Sequence, residues 1–318
     1  MRVGPRSGPG AAASNAFHAR ITDTVSGGSL AGGHQTSGEC IGERNLLAGG
    51  FRVFFRYSVR PPRWRLPVVL VHGLGLSSRY MLPTAEYLAP HFPVYVPDLP
   101  GFGDSEKPAR TWDVPALAEA LAAWIRAAGL GRVALLGNSF GCQIIADLAA
   151  RHPELVERAV LQGPTTPPDE RSWFWQFVRW RQNQPFNPDA LSPITWGDYR
   201  KCGYRRLFQT FRYQLKDPIE QKLPRIPAEV LVVRGQLDPI CQLGWAAEVA
   251  GLLPQGRLVE IPAVAHTLVY TAPEQLAATT RQFLEEVCVP ARPGEGPGGR
   301  TSAAARRDAA RRHSEARR

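Results

Sequence analysis

The pentapeptide Gly-Asn-Ser-Phe-Gly at 137–141 contains the side chain best suited to nucleophilic chemistry. An apolar run at 133–136 precedes it and an alanine-rich stretch at 142–150 follows it, which predicts a strand before the pentapeptide and a helix after it. Where a chain turns this sharply from strand to helix, only glycine fits on either side, and the strained turn exposes the serine hydroxyl. Ser139 is therefore the candidate nucleophile.

A serine hydroxyl needs a base within hydrogen-bond reach, and histidine is suited to that role near neutral pH. His266 lies in a loop just after the strand predicted at 258–261, at the edge where open α/β sheets place their sites. The other six histidines lie in terminal segments, at helix ends, or in a turn where a structural role is expected: His18, His34, His313, His91, His152 and His72. His266 is the candidate base.

Asp238 follows the strand predicted at 230–233, at the same edge of the sheet. A carboxylate there would hold the imidazole in the right tautomer and stabilise the imidazolium. An aspartate before a proline is by itself equally well explained as a turn residue. It gains a catalytic interpretation because Ser139, Asp238 and His266 each follow a separate strand.

Acyl transfer also needs hydrogen-bond donors for the developing oxyanion. The backbone N–H of Phe140, the residue after the nucleophile, is one candidate. The turn at 72–75, His-Gly-Leu-Gly, follows another predicted strand, and we expect the Leu74 N–H to be the second donor. The glycines of this turn would let its backbone approach the substrate oxygen closely.

The elements that position these residues alternate between short apolar strands and longer helical patterns. Strands uniformly apolar and separated by helices predict a parallel sheet covered on both faces, with an early antiparallel strand at 51–59. The other predicted strands are 67–72, 94–96, 133–136, 159–161, 230–233 and 258–261, and predicted helices include 79–89, 114–128 and 273–287. We therefore predict an α/β fold with its core at 46–166 and 224–290.

The segment 167–223 interrupts this alternation and contains four of the chain's eight tryptophans. We predict a compact helical cap over the carboxyl edge of the sheet. Its aromatic side chains would line a substrate pocket, form the cap's own small core, or do both. The residues named for the pocket are Trp173, Trp175 and Phe177.

Composition restricts the remaining possibilities. Five widely spaced cysteines without a C-x-x-C motif favour reduced thiols in a cytoplasm over disulfides or structural zinc. No apolar run is long enough to span a membrane. Residues 1–45 and the Arg-rich tail 291–318 are predicted to be disordered. The tail holds much of the net charge of +10, and coding bias explains it better than a nucleic-acid arm does.

Taken together, the chain over 46–290 resembles the α/β-hydrolase superfamily. The resemblance rests on His-Gly-Leu-Gly at 72–75, Asp-Leu-Pro-Gly-Phe-Gly-Asp-Ser at 98–105, the serine pentapeptide, Asp238 and His266. It implies a mostly parallel eight-stranded sheet with helices on both faces, a helical cap and catalysis without a cofactor. It also implies that the 98–105 loop is mainly structural.

Within that superfamily, the sequence leaves three functions open. The first is a serine hydrolase cleaving a carboxylic ester of a medium-sized apolar or aromatic molecule. The second is C–C bond hydrolysis of vinylogous diketones, because Gly-Asn-Ser-Phe-Gly is similar to the elbow of meta-cleavage-product hydrolases; the string after His-Gly and Cys142 depart from that pattern. The third is a non-catalytic ligand-binding module. The sequence does not indicate the oligomeric state.

Overall fold

The centre of the computed structural model, which describes residues 40–62 and 65–286, is an eight-stranded sheet of order β1-β2-β4-β3-β5-β6-β7-β8. β1 and β2 pair antiparallel, as do β2 and β4, and all other neighbours are parallel. The strands are β1 (Ile41–Ala48), β2 (Phe51–Ser58), β3 (Val68–Val71), β4 (Val94–Pro97), β5 (Val133–Asn138), β6 (Val156–Gln162), β7 (Glu229–Gly235) and β8 (Gly256–Ile261). The predicted mostly parallel eight-stranded sheet is confirmed.

Helices separate most of the strands and cover both faces of the sheet. They are α1 (Ser78–Leu88), α2 (Val114–Ala127), α3 (Phe140–Arg151), α4 (Trp173–Asn183), α5 (Leu191–Cys202), α6 (Tyr204–Lys216), α7 (Leu243–Leu252), α8 (Leu268–Thr271) and α9 (Pro273–Glu285). Among the described residues, no helix has the length and apolar character needed to cross a membrane.

The alternation of side chains along β3 divides the core into two layers. Val69 and Val71 join a cluster that contains residues of α2, α3 and α7. Val68 and Leu70 point to the other face and join a cluster with residues of α1 and α9. Because both faces are covered, every residue of β3 is fully buried, which explains why its sequence is apolar throughout.

The first strand corrects one predicted boundary. β1 begins at Ile41, so the core starts five residues before position 46, inside the 1–45 stretch predicted to be disordered. β1 pairs with β2 along its whole length through a two-residue turn, Gly49-Gly50, whose φ angles are 57° and 83°. Such a turn matches the twist of a hairpin and requires positive φ at both positions. Residues 1–39 and the tail 291–318 lie outside the described residues.

The segment 167–223, called the insertion below, runs between β6 and β7 and contains α4, α5 and α6. Its end is fixed to the elbow helix by a buried ion cluster, because Lys222 Nζ lies 2.9 Å from Asp147 Oδ1 on α3 and also contacts Asp217. Burial raises the pKa of the Asp217 carboxyl, and the Lys222 charge opposes that shift. Removing the Lys222 charge would leave the Asp217 carboxylate buried without this cation.

Candidate active site

Ser139 occupies the sharp turn between β5 and α3. Its backbone has φ 53° and ψ −116°, a conformation that costs a non-glycine residue roughly 1–3 kcal/mol. The Ser139 N–H donates to Gln162 O at 2.9 Å, so the turn is tied to the end of β6. The serine is half-buried in an otherwise buried segment. This is the strained, accessible serine that the pentapeptide predicts.

Both glycines of the pentapeptide are required by close packing. A Cβ on Gly141 would lie 2.4 Å from Val71 O, where α3 crosses the end of β3. A Cβ on Gly137 would lie 2.9 Å from the backbone carbon Gly141 C and 3.0 Å from Cys142 N, both in α3. All three distances are shorter than ordinary contact, so any side chain at 137 or 141 would move the helix that follows Ser139.

His266 and Asp238 form a hydrogen-bonded pair at the carboxyl edge of the sheet. The His266 Nδ1 lies 2.8 Å from Asp238 Oδ2. The other carboxylate oxygen of Asp238 accepts the N–H groups of Ile240 at 2.8 Å and Cys241 at 2.9 Å. Because both carboxylate oxygens accept hydrogen bonds, the orientation of the Asp238 side chain is fixed. The Nδ1 of His266 must then carry the proton that it donates to Asp238, which leaves Nε2 as the unprotonated ring nitrogen.

Arg234, near the end of β7, donates hydrogen bonds to the loop that contains Asp238. This role was not predicted from the sequence. Its Nε donates to Cys241 O at 2.9 Å, and its Nη2 donates to Asp238 O at 3.3 Å. The guanidinium also forms an ion pair with Glu260 on β8. The sequence signal for this role was an arginine directly after the apolar run 230–233.

Ser139 and His266 flank the same dipeptide, Gln162-Gly163. The Ser139 N–H binds the Gln162 carbonyl, and a Cβ on Gly163 would lie 2.9 Å from His266 Cε1, the carbon between the two ring nitrogens. The sheet thus brings the serine and the imidazole to one place. Among the described residues no acceptor or donor is bonded to the Ser139 hydroxyl.

The two predicted oxyanion donors lie on segments adjoining Ser139. Phe140 is the first residue of α3, so its N–H has no intrahelical acceptor. The turn that contains Leu74 also approaches the serine, because a Cβ on Gly73 would lie 3.6 Å from Ser139 Cβ. Within the described part of the chain, the Leu74 N–H is bonded to no acceptor.

His72 has the structural role predicted for it. Its Nε2 accepts the Leu99 N–H at 3.1 Å, and its Nδ1 lies 2.9 Å from Gly73 O. Burial lowers the pKa of this imidazole, and the nearby Asp98 charge opposes the shift. A neutral ring with both nitrogens occupied fixes the turn of Leu74 against the 98–105 loop.

The 98–105 loop is closed by its own polar side chains. Asp98 accepts the Ser78 N–H at 2.6 Å and the Asp104 N–H at 2.7 Å. Ser105 Oγ donates to Asp98 O at 2.6 Å, and a Cβ on Gly103 would lie 2.0 Å from Asp98 Oδ2. These contacts stay within the loop and its neighbours, as expected for a structural element.

Three buried amide side chains that were not predicted surround the backbone of His266, and two of them connect it to the turn at Ser139. Asn138 Nδ2 donates to Gln162 Oε1 at 2.5 Å, and Gln162 Nε2 donates to His266 O at 3.2 Å. The His266 N–H donates to Asn183 Oδ1 at 3.3 Å. Because Asn183 belongs to α4, the insertion contacts the backbone of the candidate base directly.

A second contact joins the insertion to the turn beside Ser139. Ser77 Oγ donates to Asp198 Oδ2 at 2.7 Å, and the fully buried Asp198 lies on α5. Burial raises the pKa of the Asp198 carboxyl, which Ser77 and Arg79 partly offset. Burial also raises the pKa of the neighbouring Tyr199 to about 12. The Asp198 carboxylate is held by Ser77 and lies 3.8 Å from the Arg79 guanidinium, so it is not placed as a free base.

The aromatic residues predicted to bind substrate do not lie in a buried pocket. Trp173, Trp175 and Phe177 on α4 are 46%, 42% and 60% exposed. The Trp173 ring stacks on Phe208 at 4.7 Å between centroids, so it packs within the insertion. These rings lie on the outer side of α4 because the buried side of the helix carries the amides Gln176 and Asn183.

The other candidate groups are inert or absent. Cys142 is buried, its thiol donates to Gly137 O at 3.3 Å, and burial raises its pKa well above the usual range. It is a packing residue, as predicted. Within 40–62 and 65–286, no cluster of three or more His, Cys, Asp or Glu side chains is arranged to hold a metal ion.

Comparison with known proteins agrees with this architecture. A family described as alpha/beta hydrolase fold matches residues 67–191, and one described as TAP-like protein matches residues 196–295. The 2-hydroxymuconate semialdehyde hydrolase of Pseudomonas putida is 26% identical over 272 residues, which cover 76% of this chain and 94% of that protein.

Two solved structures are also similar. A membrane phospholipase A, a bacterial virulence factor, is 25% identical with a TM-score of 0.64, covering 77% of this chain and 86% of its own. An esterase from Thermogutta terrifontis is 22% identical with a TM-score of 0.65, covering 76% and 98%, and shows the fold alone. The sheet topology, the strained serine and both family matches lead to one conclusion. The chain belongs to the α/β-hydrolase superfamily, and this membership indicates a hydrolase.

Proposed function

We propose that the protein is a serine hydrolase that cleaves a carboxylic ester through an acyl-enzyme. Ser139 attacks the carbonyl carbon, and His266 Nε2 takes the hydroxyl proton and returns it to the leaving alcohol. Asp238 orients the imidazole and stabilises its charged form. Water, deprotonated by the same imidazole, then releases the acid and restores the serine.

The observation that carries this proposal is the strained Ser139 at φ 53° beside the paired His266 and Asp238. A fold spends roughly 1–3 kcal/mol on such a backbone only where surrounding packing imposes it, and strain of this kind clusters at active sites. The Phe140 and Leu74 N–H groups are the proposed oxyanion donors. Each such donor typically contributes ~3–4 kcal/mol to transition-state stabilisation.

The ester is the first candidate substrate. The similar phospholipase A supports it, since its name places its substrates among phospholipid esters. The same machinery needs no cofactor for this reaction, because the serine supplies the nucleophile and the imidazole carries the proton. The odd count and wide spacing of the cysteines keep the cytoplasm as the proposed compartment.

C–C bond hydrolysis is the second candidate, and a specific comparison favours it. The hydroxymuconate semialdehyde hydrolase matches most of both chains. In that reaction Ser139 would attack a ketone carbonyl, and the C–C bond would break with its electron pair left on a conjugated fragment that takes up a proton. The departures after His-Gly and at Cys142 are the reason for ranking it second.

One kinetic experiment tests the mechanism and ranks the substrates. The wild type and Ser139→Ala are assayed on nitrophenyl esters of graded chain length and on a vinylogous diketone. We expect ester turnover by the wild type and a loss of about 10⁴-fold or more in the variant. Faster turnover of the diketone would make C–C hydrolysis the function. Equal turnover by the variant would remove Ser139 from the mechanism.

A further inference from the structure

Helix α4 buries polar side chains and exposes apolar ones, which is the opposite of a typical surface helix. Its buried side chains are the amides Gln176 and Asn183. Its exposed side chains include five large aromatic residues: Trp173, Phe174, Trp175, Phe177 and Trp180. A surface helix normally buries its apolar face and exposes its polar face. The five aromatic side chains of α4 therefore gain little stabilisation from burial within this chain.

The buried amides fix this orientation. Gln176 Nε2 donates to Glu170 O at 3.1 Å, and Asn183 accepts the backbone N–H of His266 at 3.3 Å. The helix also begins with a side-chain cap, since Ser172 accepts the Trp175 N–H at 3.3 Å. Turning the aromatic side inward would break these bonds and leave buried polar groups unpaired. The aromatic side therefore faces outward by construction.

Helix α6 enlarges the same surface. The Trp173 ring contacts Phe208 at 4.7 Å and Phe211 at 4.5 Å, which joins the two helices. Four exposed residues of α6 recur at four-residue intervals and so share one side of the helix: Tyr204, Phe208, Arg212 and Lys216. We call the exposed side chains of α4 and α6 the aromatic face. A contiguous exposed apolar patch marks a site of interaction.

The charges on the insertion indicate what this face meets. Exposed basic side chains with no ion pair in the described part of the chain are Arg181, Arg200, Arg205, Arg212 and Lys216. Its exposed acids are only Asp169 and Asp189, because the other four are buried or paired with a cation. The outer surface of the insertion is thus aromatic and net positive.

We propose that the aromatic face docks onto an anionic lipid surface. Trp and Tyr side chains settle at the boundary between headgroups and acyl chains, and Arg and Lys bind lipid phosphates beside them. A second copy of the chain fits less well, since a two-fold contact would set these cations against their own equivalents. The docking is independent of the proposed hydrolysis and involves neither Ser139 nor its partners.

Co-sedimentation of the full chain with vesicles tests this docking. We expect binding to vesicles of equal parts phosphatidylcholine and phosphatidylglycerol, and little binding to phosphatidylcholine alone. Phe174→Ser/Phe177→Ser should weaken binding by about tenfold or more, because the inserted rings supply apolar burial. The matched control is Leu47→Ser/Val59→Ser, which removes two exposed apolar side chains from the β1–β2 hairpin and should bind as the wild type does.

A second pair of variants separates this surface from net charge. Arg181→Gln/Arg205→Gln/Arg212→Gln should also weaken binding, whereas an equal loss of charge away from α4 and α6, Arg52→Gln/Arg60→Gln/Arg225→Gln, should not. Circular dichroism confirms that each variant is folded. Failure of the wild-type protein to co-sediment with anionic vesicles would overturn the proposal. Equal vesicle binding by Phe174→Ser/Phe177→Ser would also overturn it and would assign the binding to another basic segment. Concentration-dependent self-association of the wild type that this variant abolishes would likewise overturn it, because it would show that the aromatic face binds a second copy of the chain.

Discussion

Gly163 has no side chain at the point where the imidazole of His266 packs. A Cβ there would lie 2.9 Å from Cε1 and 3.0 Å from Nδ1 of that ring, and 3.4 Å from Asp238 Oδ2. The residue also has φ 59°, in the left-handed region that favours glycine. Neither feature involves substrate, yet both determine where the base can sit. Glycine is required here for the position of the imidazole as well as for the turn.

Gly163→Ala should therefore reduce kcat by about 100-fold, because small misplacements of a catalytic group cost about that much. Gly129→Ala is the control, since Gly129 has φ 65° and nothing within 4 Å of an added Cβ. Both variants should lose roughly 1–2 kcal/mol of unfolding free energy from backbone strain. Denaturant unfolding and ester turnover, measured together, check this. Equal activity in the two variants would mean that the imidazole tolerates the displacement.

The residues that carry charge and nucleophilicity could be selected from the sequence, whereas those that position them could not. Ser139, Asp238 and His266 each have a functional group suited to a named role and each follow a predicted strand. Arg234, Gln162 and Asn183 are ordinary polar residues. Gln162 and Asn183 bond His266, which lies far away in sequence, and Arg234 bonds carbonyls of a loop whose course the sequence does not report. Their roles depend on which carbonyls and N–H groups the folded chain brings beside them, and no local pattern reports that.

At the scale of elements, the insertion acts on the candidate base through α4. The His266 N–H donates to Asn183 Oδ1, while Asn183 Nδ2 donates to Asn187 Oδ1 at 3.3 Å. The first bond crosses from the insertion to the loop after β8, and the second stays within the insertion. Substitution of Asn183 therefore removes the contact with the loop after β8, whereas substitution of Asn187 leaves that contact in place.

Asn183→Ala should lower kcat about fivefold, which corresponds to the ~1 kcal/mol of a typical hydrogen bond, with little change in KM. Asn187→Ala keeps the bond to His266 and should leave kcat unchanged. The rate of acylation of Ser139 by a reactive ester, followed in single turnover, is the direct measurement. A loss confined to stability, with normal acylation in both variants, would show that Asn183 does not position the base.

Strands with uniformly apolar sequences were predictable because burial on both faces leaves no room for polar residues. β1 was not, since it is an edge strand whose side chains alternate between solvent and core and include Glu43 and Arg44. The Gly49-Gly50 pair ahead of the Phe51 strand was the signal for a hairpin. The outward aromatic side of α4 was also unpredictable, because aromatic residues in a helix normally indicate a core.

At the scale of the whole molecule, the parallel sheet explains how three distant positions become one site. β5, β7 and β8 end at the same edge, and the turns that follow them carry the serine, the aspartate and the histidine. The insertion between β6 and β7 contacts that edge through Asn183 and Asp198. Its outer surface is aromatic and basic, so one segment contacts the proposed catalytic residues on one side and faces the surroundings on the other.

The most direct test of the account is covalent labelling by a fluorophosphonate, read by mass spectrometry of the peptide that contains residues 137–141. Such probes react with a serine hydroxyl only where a base and oxyanion donors activate it. We predict one adduct, on Ser139, that His266→Ala slows strongly and Ser139→Ala abolishes. A folded wild-type chain that takes up no label at Ser139, or labels equally fast without His266, would contradict the proposed mechanism.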